Sequence, residues 1–186
     1  MSEQVFESDV RNHAAPYADP SELEWLRQAA ATLEGEFVMI GAGPGVMAMA
    51  VLEIAPQTPT TIIDVESVDY ARAHIESLRV RAERVNYIKA DSRAVWARWA
   101  NESVELLVID GDHSFGGVTA DLIGWCPTVN VGGKVFIHDF EADGTIFAGQ
   151  ERYPGVQRAV RAYLGLVKHF REVERVGTAV ILERAE

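Results

Sequence analysis

Five short apolar runs, separated by stretches of helical periodicity, constrain the fold of this chain more than any other feature of its sequence. The runs are Phe37–Ile40, Thr60–Ile63, Val85–Ile88, Leu106–Ile109 and Lys134–Ile137. Helix-like stretches follow the first four, at Val46–Ile54, Val68–Leu78, Arg93–Trp99 and Val118–Trp125. Strands that alternate with helices are typically parallel and joined by right-handed crossovers. The pattern therefore predicts a doubly wound α/β sheet.

The C-terminal part departs from this alternation. After a helix beginning near Pro154 and running to about Val167, two strand-like segments, His169–Val173 and Thr178–Leu182, lie on either side of Gly177. Two such segments joined by a short glycine-containing turn are typical of an antiparallel hairpin. We therefore expect a mostly parallel, seven-stranded sheet that ends in an antiparallel hairpin.

The N-terminal segment carries no sustained apolar period, so residues 1–20 are predicted to form an irregular arm. A helix is predicted to begin at Ser21, with Ser21 as N-cap and Glu24 at the capping-box position, and to end at Gly35. No segment with the composition of an interdomain linker interrupts the rest of the chain. Residues 21–186 are therefore expected to form a single domain.

The composition excludes several classes of partner and site. Acidic residues outnumber basic ones by 28 to 17, whereas nucleic acids and anionic membranes are bound through Lys and Arg. We therefore expect neither a nucleic acid nor a membrane as partner. A single cysteine, Cys126, excludes an internal disulfide and a Cys-based zinc site. Because no apolar secretory segment follows Met1, the expected location is the cytoplasm.

Glycines or polar residues follow all five predicted parallel strands. In chain order they are Gly41-Ala42-Gly43-Pro44-Gly45, Asp64, Asp91, Asp110-Gly111-Asp112-His113 and His138-Asp139. Turn formation or helix capping would explain any one of them. In a sheet of this kind, however, ligands bind beyond the carboxyl ends of the strands. Five polar strand ends along one edge therefore predict a binding site there.

The glycine loop and the first acid indicate the kind of ligand. Glycines let the backbone approach a ligand, and the following helix presents unpaired N–H groups. Gly41, Gly43 and Gly45 form GxGxG, whereas the dinucleotide fingerprint GxGxxG requires glycine at Val46. Asp64 follows at the distance at which a carboxylate can accept both hydroxyl protons of a ribose. The sequence thus predicts a nucleoside site without a pyrophosphate subsite.

The chain resembles class I S-adenosylmethionine-dependent methyltransferases in the segments FVMIGAGPG, TTIIDVES, NYIKADS, VELLVIDGDHS and GGKVFIHDF. With IDGDHS, an amphipathic stretch ending at Trp125, GGKVFIHD and Pro154-Gly155-Val156, it is similar to one branch of that group. This branch contains macrocin-type and mycinamicin-type sugar O-methyltransferases and cephalosporin hydroxylase-like proteins. The resemblance extends over about residues 35–182 and implies a Rossmann-like methyltransferase fold with an antiparallel last strand.

The resemblance also implies how S-adenosylmethionine would bind. The three loop glycines would surround the methionine part of the cofactor, and Asp64 would hold the ribose. Asp91 would contact the adenine amino group, with Ser92 beside it. Family members commonly have an acid two residues before the first loop glycine, where this chain has Met39.

A second group of residues corresponds to a metal site. In related sugar and catechol-type enzymes, acids after the fourth and fifth strands hold magnesium, and the matching positions are Asp110, His138 and Asp139. Because adjacent strands lie about 4.8 Å apart, Asp110 and Asp139 could share one ion. His138 replaces an acid, and an imidazole suits manganese, iron or zinc better than magnesium. The alternative is that His138 packs under the fifth strand and Asp139 caps the following loop.

Asp112 and His113 are the candidate general bases for removing a proton from an alcohol. Histidine is favoured, because its ordinary pKa of about 6.5 leaves it neutral and basic at working pH. Both residues could instead cap the next helix.

These features predict an S-adenosylmethionine-dependent O-methyltransferase that acts on a small hydroxylated molecule, such as a sugar or a natural-product intermediate, with assistance from a divalent cation. A homodimer would complete the substrate pocket of so short a chain. Two alternatives stay open. One is a nicotinamide-dependent oxidoreductase, which the GxGxG spacing disfavours. The other is a non-catalytic methyltransferase-like binding protein, whose cofactor site is weakened at Met39 and His138.

Overall fold

The first two thirds of the chain alternate helices with strands in the computed structural model, which describes residues 17–77, 84–100, 103–141 and 153–186. The elements are α1 (Pro20–Ala30), β1 (Glu36–Ile40), α2 (Val46–Ile54), β2 (Thr60–Asp64), α3 (Val68–Ser77), β3 (Val85–Lys89), α4 (Ser92–Trp96), β4 (Val104–Ile109), α5 (Phe115–Trp125) and β5 (Val129–Ile137). A 3-10 turn, Cys126–Thr128, links α5 to β5. The chain then forms α6 (Pro154–Leu166), β6 (Phe170–Val176) and β7 (Ala179–Arg184).

The seven strands form one sheet in the order β3-β2-β1-β4-β5-β7-β6. Neighbours among β1 to β5 are parallel, whereas β7 runs antiparallel to both β5 and β6. This confirms the predicted mostly parallel sheet with its C-terminal hairpin. The chain changes direction of travel across the sheet between β1 and β4, and such a switch point opens a crevice at the carboxyl ends of the strands.

Both faces of the sheet are covered, because successive side chains of a strand point to opposite faces. Phe37 and Met39 of β1 pack on one side against α1, α2 and α3. Val38 and Ile40 pack on the other side against α5 and α6. Every residue of β1 is buried, which explains why its sequence is a continuous apolar run. Met39 lies in this core.

The first helix begins earlier than predicted. Asp19 is the N-cap, with Pro20 at the first helical position and Glu22 completing the capping box. The predicted pair of Ser21 and Glu24 was therefore wrong, because aspartate caps as well as serine and proline is favoured at the first helical position. The helix also ends at Ala30, before Gly35. Residues 1–16 of the predicted arm lie outside the described residues.

The other elements follow the predicted pattern with shifted ends. The helix predicted over Arg93–Trp99 ends at Trp96, and the strand predicted from Lys134 begins at Val129. Within the described ranges, none of the helices is long and apolar enough to cross a membrane.

Candidate functional site

A cleft of about 370 Å³ lies at the carboxyl ends of the parallel strands. Seven residues predicted for the site line it: Gly41, Gly43, Asp64, Asp91, Ser92, Asp110 and Asp112. Strand order alone brings them together, since the loops after β1 to β4 all open at the same edge.

The glycine loop passes directly over the end of β4. Gly41 has a φ of 84°, and a methyl group placed on it would lie 1.9 Å from the carbonyl oxygen of Asp110. Gly43 also has positive φ, at 47°, but no atom lies within 4 Å of the methyl position. Gly45 is the N-cap of α2. The loop thus requires glycine at Gly41 for close packing and exposes bare backbone to the cleft at Gly43.

Asp64 is held by the backbone on two sides. Its Oδ2 accepts a hydrogen bond of 2.7 Å from the Ala42 N–H in the glycine loop. Its Oδ1 accepts bonds of 2.7 Å from the N–H groups of Glu66 and Ser67. Oδ2 retains further acceptor capacity for a ligand hydroxyl. The carboxylate is therefore fixed in place at the cleft.

Asp91 has a different environment, because it is engaged with Arg93. It is the N-cap of α4 and accepts a bond of 2.8 Å from the Arg93 N–H. The Arg93 guanidinium contacts both of its carboxylate oxygens. These hydrogen bonds lower the pKa of Asp91 to about 2.

Asp121 on α5 also lines the cleft, although the sequence analysis did not select it. It is 3% exposed, and its Oδ1 accepts a bond of 2.5 Å from the Ser92 hydroxyl. Burial raises the pKa of Asp121 to about 6, with repulsion from Asp91 and Asp112 adding to the effect of burial. A signal existed in the sequence, because Asp121 follows Val118 by three residues and so falls on the buried face of the helix.

Four residues at the ends of β4 and β5 form a second group, which we call the Asp–His cluster: Asp110, His113, His138 and Asp139. One potential ligand atom from each lies within 4.8 Å of the other three. Asp139 has a φ of 56° and is the only non-glycine residue with positive φ among the residues that the structure describes. Such strained backbone is characteristic of functional positions. It turns the Asp139 carboxylate toward both histidines.

The His138 ring lies between two carboxylates and is 5% exposed. Its Nδ1 is 2.9 Å from Asp110 Oδ1, and its Nε2 is 3.2 Å from Glu22 Oε2. Burial by itself would lower the pKa of His138, but the two carboxylates outweigh it and raise that pKa well above the ordinary value.

Glu22, the partner of His138 on α1, is completely buried. Its Oε1 accepts hydrogen bonds from the N–H and the hydroxyl of Thr178, at 2.7 and 2.8 Å. Its Oε2 accepts a 2.8 Å bond from the Asp19 N–H. Glu22 therefore joins the first described helix, the β6–β7 turn and the Asp–His cluster. This role of Glu22 does not follow from a helix cap at Ser21, which lies two residues beyond the true cap at Asp19.

His113 faces the same carboxylates from the loop after β4. Its Nε2 is 3.1 Å from Asp139 Oδ2 and 3.4 Å from Asp110 Oδ1. Neither contact has hydrogen-bond geometry, so this buried nitrogen has no hydrogen-bond partner among the described residues. Burial lowers the pKa of His113, but Asp110 and Asp139 outweigh burial and raise that pKa to about 9. The ring stacks on Tyr153, with centroids 4.3 Å apart.

The Asp–His cluster fits a transition-metal ion. Each histidine approaches both aspartates, with nitrogen–oxygen distances from 2.9 to 3.5 Å. An ion with ligand bonds of about 2.0–2.1 Å separates neighbouring ligand atoms by roughly 3.0–3.4 Å. Glu22 stands where a carboxylate commonly orients a metal-binding histidine. An imidazole together with two carboxylates suits zinc, manganese or iron better than magnesium.

Asp112 lies apart from the cluster. Its carboxylate accepts bonds of 2.8 and 2.9 Å from the N–H and the hydroxyl of Ser114, the residue that caps α5. The structure therefore shows the helix-start role for Asp112, while His113 points at the cluster. Asp112 still lines the rim of the cleft.

The sequence profile of a family described as a methyltransferase domain matches residues 38–140. This match covers more than half of the chain and includes the glycine loop, Asp64, Asp91 and the Asp–His cluster. The chain belongs to this methyltransferase family. It is an S-adenosylmethionine-dependent methyltransferase domain, which decides against the nicotinamide-dependent alternative.

Solved structures with similar folds agree with the family assignment. A Corynebacterium glutamicum protein is 23% identical, with a TM-score of 0.75 over 96% of this chain and 89% of its own. An O-methyltransferase from Bacillus cereus, solved with S-adenosylhomocysteine, is 15% identical, with a TM-score of 0.73 over 100% of this chain and 92% of its own. A TDP-rhamnose 3′-O-methyltransferase of calicheamicin biosynthesis is 16% identical, with a TM-score of 0.63 over 87% of this chain and 76% of its own. At these identities the likeness shows the fold.

Proposed function

We propose that this methyltransferase transfers a methyl group to a hydroxyl oxygen of a small molecule, such as a sugar or a natural-product intermediate, with a divalent transition-metal ion at the Asp–His cluster. The observation that carries the proposal is the position of Asp110. Asp110 lines the cofactor cleft and is also a member of the cluster. A methyl donor in the cleft and an acceptor hydroxyl at the cluster would therefore be neighbours.

The cofactor would lie along the first half of the strand edge. The backbone at Gly43 can approach its methionine part, and Asp64 Oδ2 can accept a ribose hydroxyl proton. Support also comes from the relatives of similar fold, because two of those described above are O-methyltransferases and one of them methylates a nucleotide-linked sugar.

In the proposed reaction the bond between the methyl carbon and the sulfonium sulfur breaks as the bond to the alcohol oxygen forms. The alcohol proton must leave, because a neutral alcohol is a poor nucleophile. A bound divalent cation would polarise and orient that oxygen. Asp110, His138 and Asp139 would hold the cation.

His113 is the proposed acceptor of the alcohol proton. Its Nε2 faces the cluster, beside the proposed acceptor site. Paired with both aspartates, His113 is protonated at neutral pH. It can accept the alcohol proton only after it has lost its own, which it does when those carboxylates are otherwise engaged and its pKa falls. Asp112 is the alternative acceptor at the rim.

The test combines binding and turnover. We expect isothermal titration to show S-adenosylhomocysteine binding, and Co²⁺ to bind with visible absorption bands. We further expect the protein to release S-adenosylhomocysteine when it is supplied with S-adenosylmethionine and hydroxylated acceptors, including TDP-rhamnose. This release should depend on added metal. Asp139→Asn should lose Co²⁺ binding and turnover while keeping nucleoside binding. Asp69→Asn, an exposed change on α3, is the matched control.

Two results would contradict the proposal in separable ways. Absence of S-adenosylhomocysteine binding, with or without metal, would contradict the cofactor site. Turnover that persists unchanged in a strong chelator would contradict the metal role and leave the cofactor site in place.

A further inference from the structure

We infer that Asp121, rather than Asp91, accepts the hydrogen bond from the adenine amino group and thereby sets the specificity of the cleft for an adenosyl ligand. The inference rests on the proposed function, since it takes the ribose of the cofactor to lie at Asp64. It assigns a specificity-determining role to a helix residue that lies outside the strand ends.

The carboxylate of Asp91 already accepts hydrogen bonds from Arg93. It accepts the Arg93 N–H as a helix cap, and both of its oxygens contact the Arg93 guanidinium. Its side chain is 39% exposed. An amino group would have to compete with a cation and a helix cap for its lone pairs, while water remained available to both partners.

The carboxylate of Asp121 has the opposite properties. It is 3% exposed, lines the cleft, and receives one hydrogen bond, from Ser92 to Oδ1. No other donor reaches it within the described ranges. The second oxygen, Oδ2, therefore remains available as an acceptor at the cleft. A donor on a bound ligand can pair with it.

The surroundings of Asp121 suit a planar base. The Ser92–Asp121 hydrogen bond joins the start of α4 to α5 at one wall of the cleft. Ile63, Val65 and Ala90 give the same cleft apolar surface. Gly111 has no side chain, and a methyl group placed on it would come within 3.9 Å of Asp121 Oδ2. A base lying on the apolar surface can therefore present its edge to this oxygen.

The chemistry predicts a definite selectivity. The adenine amino group donates hydrogen bonds, whereas the deaminated base presents a carbonyl oxygen at the same position. Two facing acceptors repel each other, so an ionised Asp121 would disfavour the deaminated base. Substitution of Asp121 by asparagine provides a side-chain donor and should reduce that preference.

The experiment measures the dissociation constants of S-adenosylhomocysteine and S-inosylhomocysteine by isothermal titration. We expect wild-type protein to prefer the adenosyl ligand by at least about tenfold. Asp121→Asn should bring the two constants within about threefold of each other or reverse them. Asp91→Asn is the matched control, because it removes the same charge from the same cleft, and it should retain the preference.

Each of the other possible titration results would contradict a different claim. A preference lost in Asp91→Asn and kept in Asp121→Asn would assign the contact to Asp91. Equal affinity of the wild-type protein for both ligands would overturn the inference and leave the proposed function standing. Binding of neither ligand would overturn the cofactor site itself, and the inference with it.

A measurement on the wild-type protein covers the case in which Asp121→Asn does not fold. The charged groups that act on Asp121 are Asp91, Asp112 and Arg93. Since burial raises the pKa of Asp121 to about 6, the adenosyl preference should shrink as the pH falls from 8 to 5. Asp91, with its pKa lowered to about 2, stays ionised over this range. A preference that does not change with pH would contradict the inference.

Discussion

The two halves of the strand edge hold their carboxylates in opposite ways. In the first half, the oxygens of Asp64 accept hydrogen bonds from three backbone N–H groups. In the second half, Asp110 and Asp139 contact the imidazoles of His113 and His138. The first half is thus stabilised by fixed dipoles and the second by groups that can gain or lose a proton.

This difference teaches what each half can do. Backbone amides neither titrate nor leave, so the Asp64 carboxylate is held in one place before a ligand binds. Imidazoles exchange protons and can become metal ligands, so the Asp–His cluster is suited to respond to pH and to cations. The proposed reaction uses both properties, since the cofactor must be held in place while a proton moves.

Gly41→Ala should have the largest effect, because Gly41 packs against Asp110 where the two halves of the strand edge meet. The added methyl group would collide with the carbonyl of Asp110, which directly follows β4 and whose N–H is bonded to the Ile40 carbonyl of β1. We expect a loss of more than about 4 kcal/mol in the free energy of unfolding. Gly43→Ala is the control, with open space at the methyl position and an expected cost of about 1–2 kcal/mol from φ alone. Urea denaturation measures both, and equal losses would contradict the close approach at Gly41.

Asp64→Asn should disable only the first half. Removal of the charge weakens the hydrogen bond from a ribose hydroxyl, worth about 1.5–3 kcal/mol, so the dissociation constant for S-adenosylhomocysteine should rise about tenfold or more. Co²⁺ binding should not change. A parallel loss of Co²⁺ affinity would show that the two halves are not separable, and Asp69→Asn again serves as the control.

High pH should weaken only the ion pairs in the second half of the strand edge, at the Asp–His cluster. His113 has a pKa of about 9 in the folded protein and about 6.5 when unfolded. Its stabilising contribution is therefore complete below pH 6.5 and is lost as the pH rises through 9. Without metal, the free energy of unfolding should fall by about 2 kcal/mol between pH 7 and pH 9. His113→Asn should flatten this part of the urea-denaturation profile, and an equally steep profile in that variant would contradict the ion pairing.

Glu22→Gln tests the support behind the second half and has the smallest expected effect. The amide keeps the shape of the side chain but weakens the acceptor opposite His138 Nε2, so Co²⁺ affinity should fall about tenfold. S-adenosylhomocysteine affinity should stay the same. Glu24→Gln, an exposed change on the same helix, should have no effect on either ligand. Equal Co²⁺ affinity in wild type and Glu22→Gln would remove Glu22 from this role.

Much of the fold could be predicted because the central parallel strands are covered on both faces. That burial makes β1 and β4 nearly continuous apolar runs, and the residues just after them must lie at one edge. For the same reason Asp64 and Asp110 could be assigned to the site from topology alone. The close packing at Gly155 also leaves a sequence signal, since a methyl group there would lie 2.4 Å from the His113 carbonyl oxygen.

The remaining site residues depend on packing that sequence periodicity does not specify. Glu22 and Asp121 come from helices, and which of their side chains reach the site depends on how each helix is rotated against the sheet. The pKa of His113 depends on Asp139, which approaches it only because Asp139 adopts a left-handed conformation. The sequence therefore predicted that the strand-end residues gather, but not which helix residues join them or the charge that His113 carries there.

The contact between Glu22 and Thr178 spans most of the chain. During synthesis the ribosome releases α1 and His138 long before the β6–β7 turn, so Glu22 lacks two of its donors in the nascent polypeptide. We expect His138 to acquire its fixed orientation only after Thr178 has emerged, so the proposed metal site would be complete only in the finished protein.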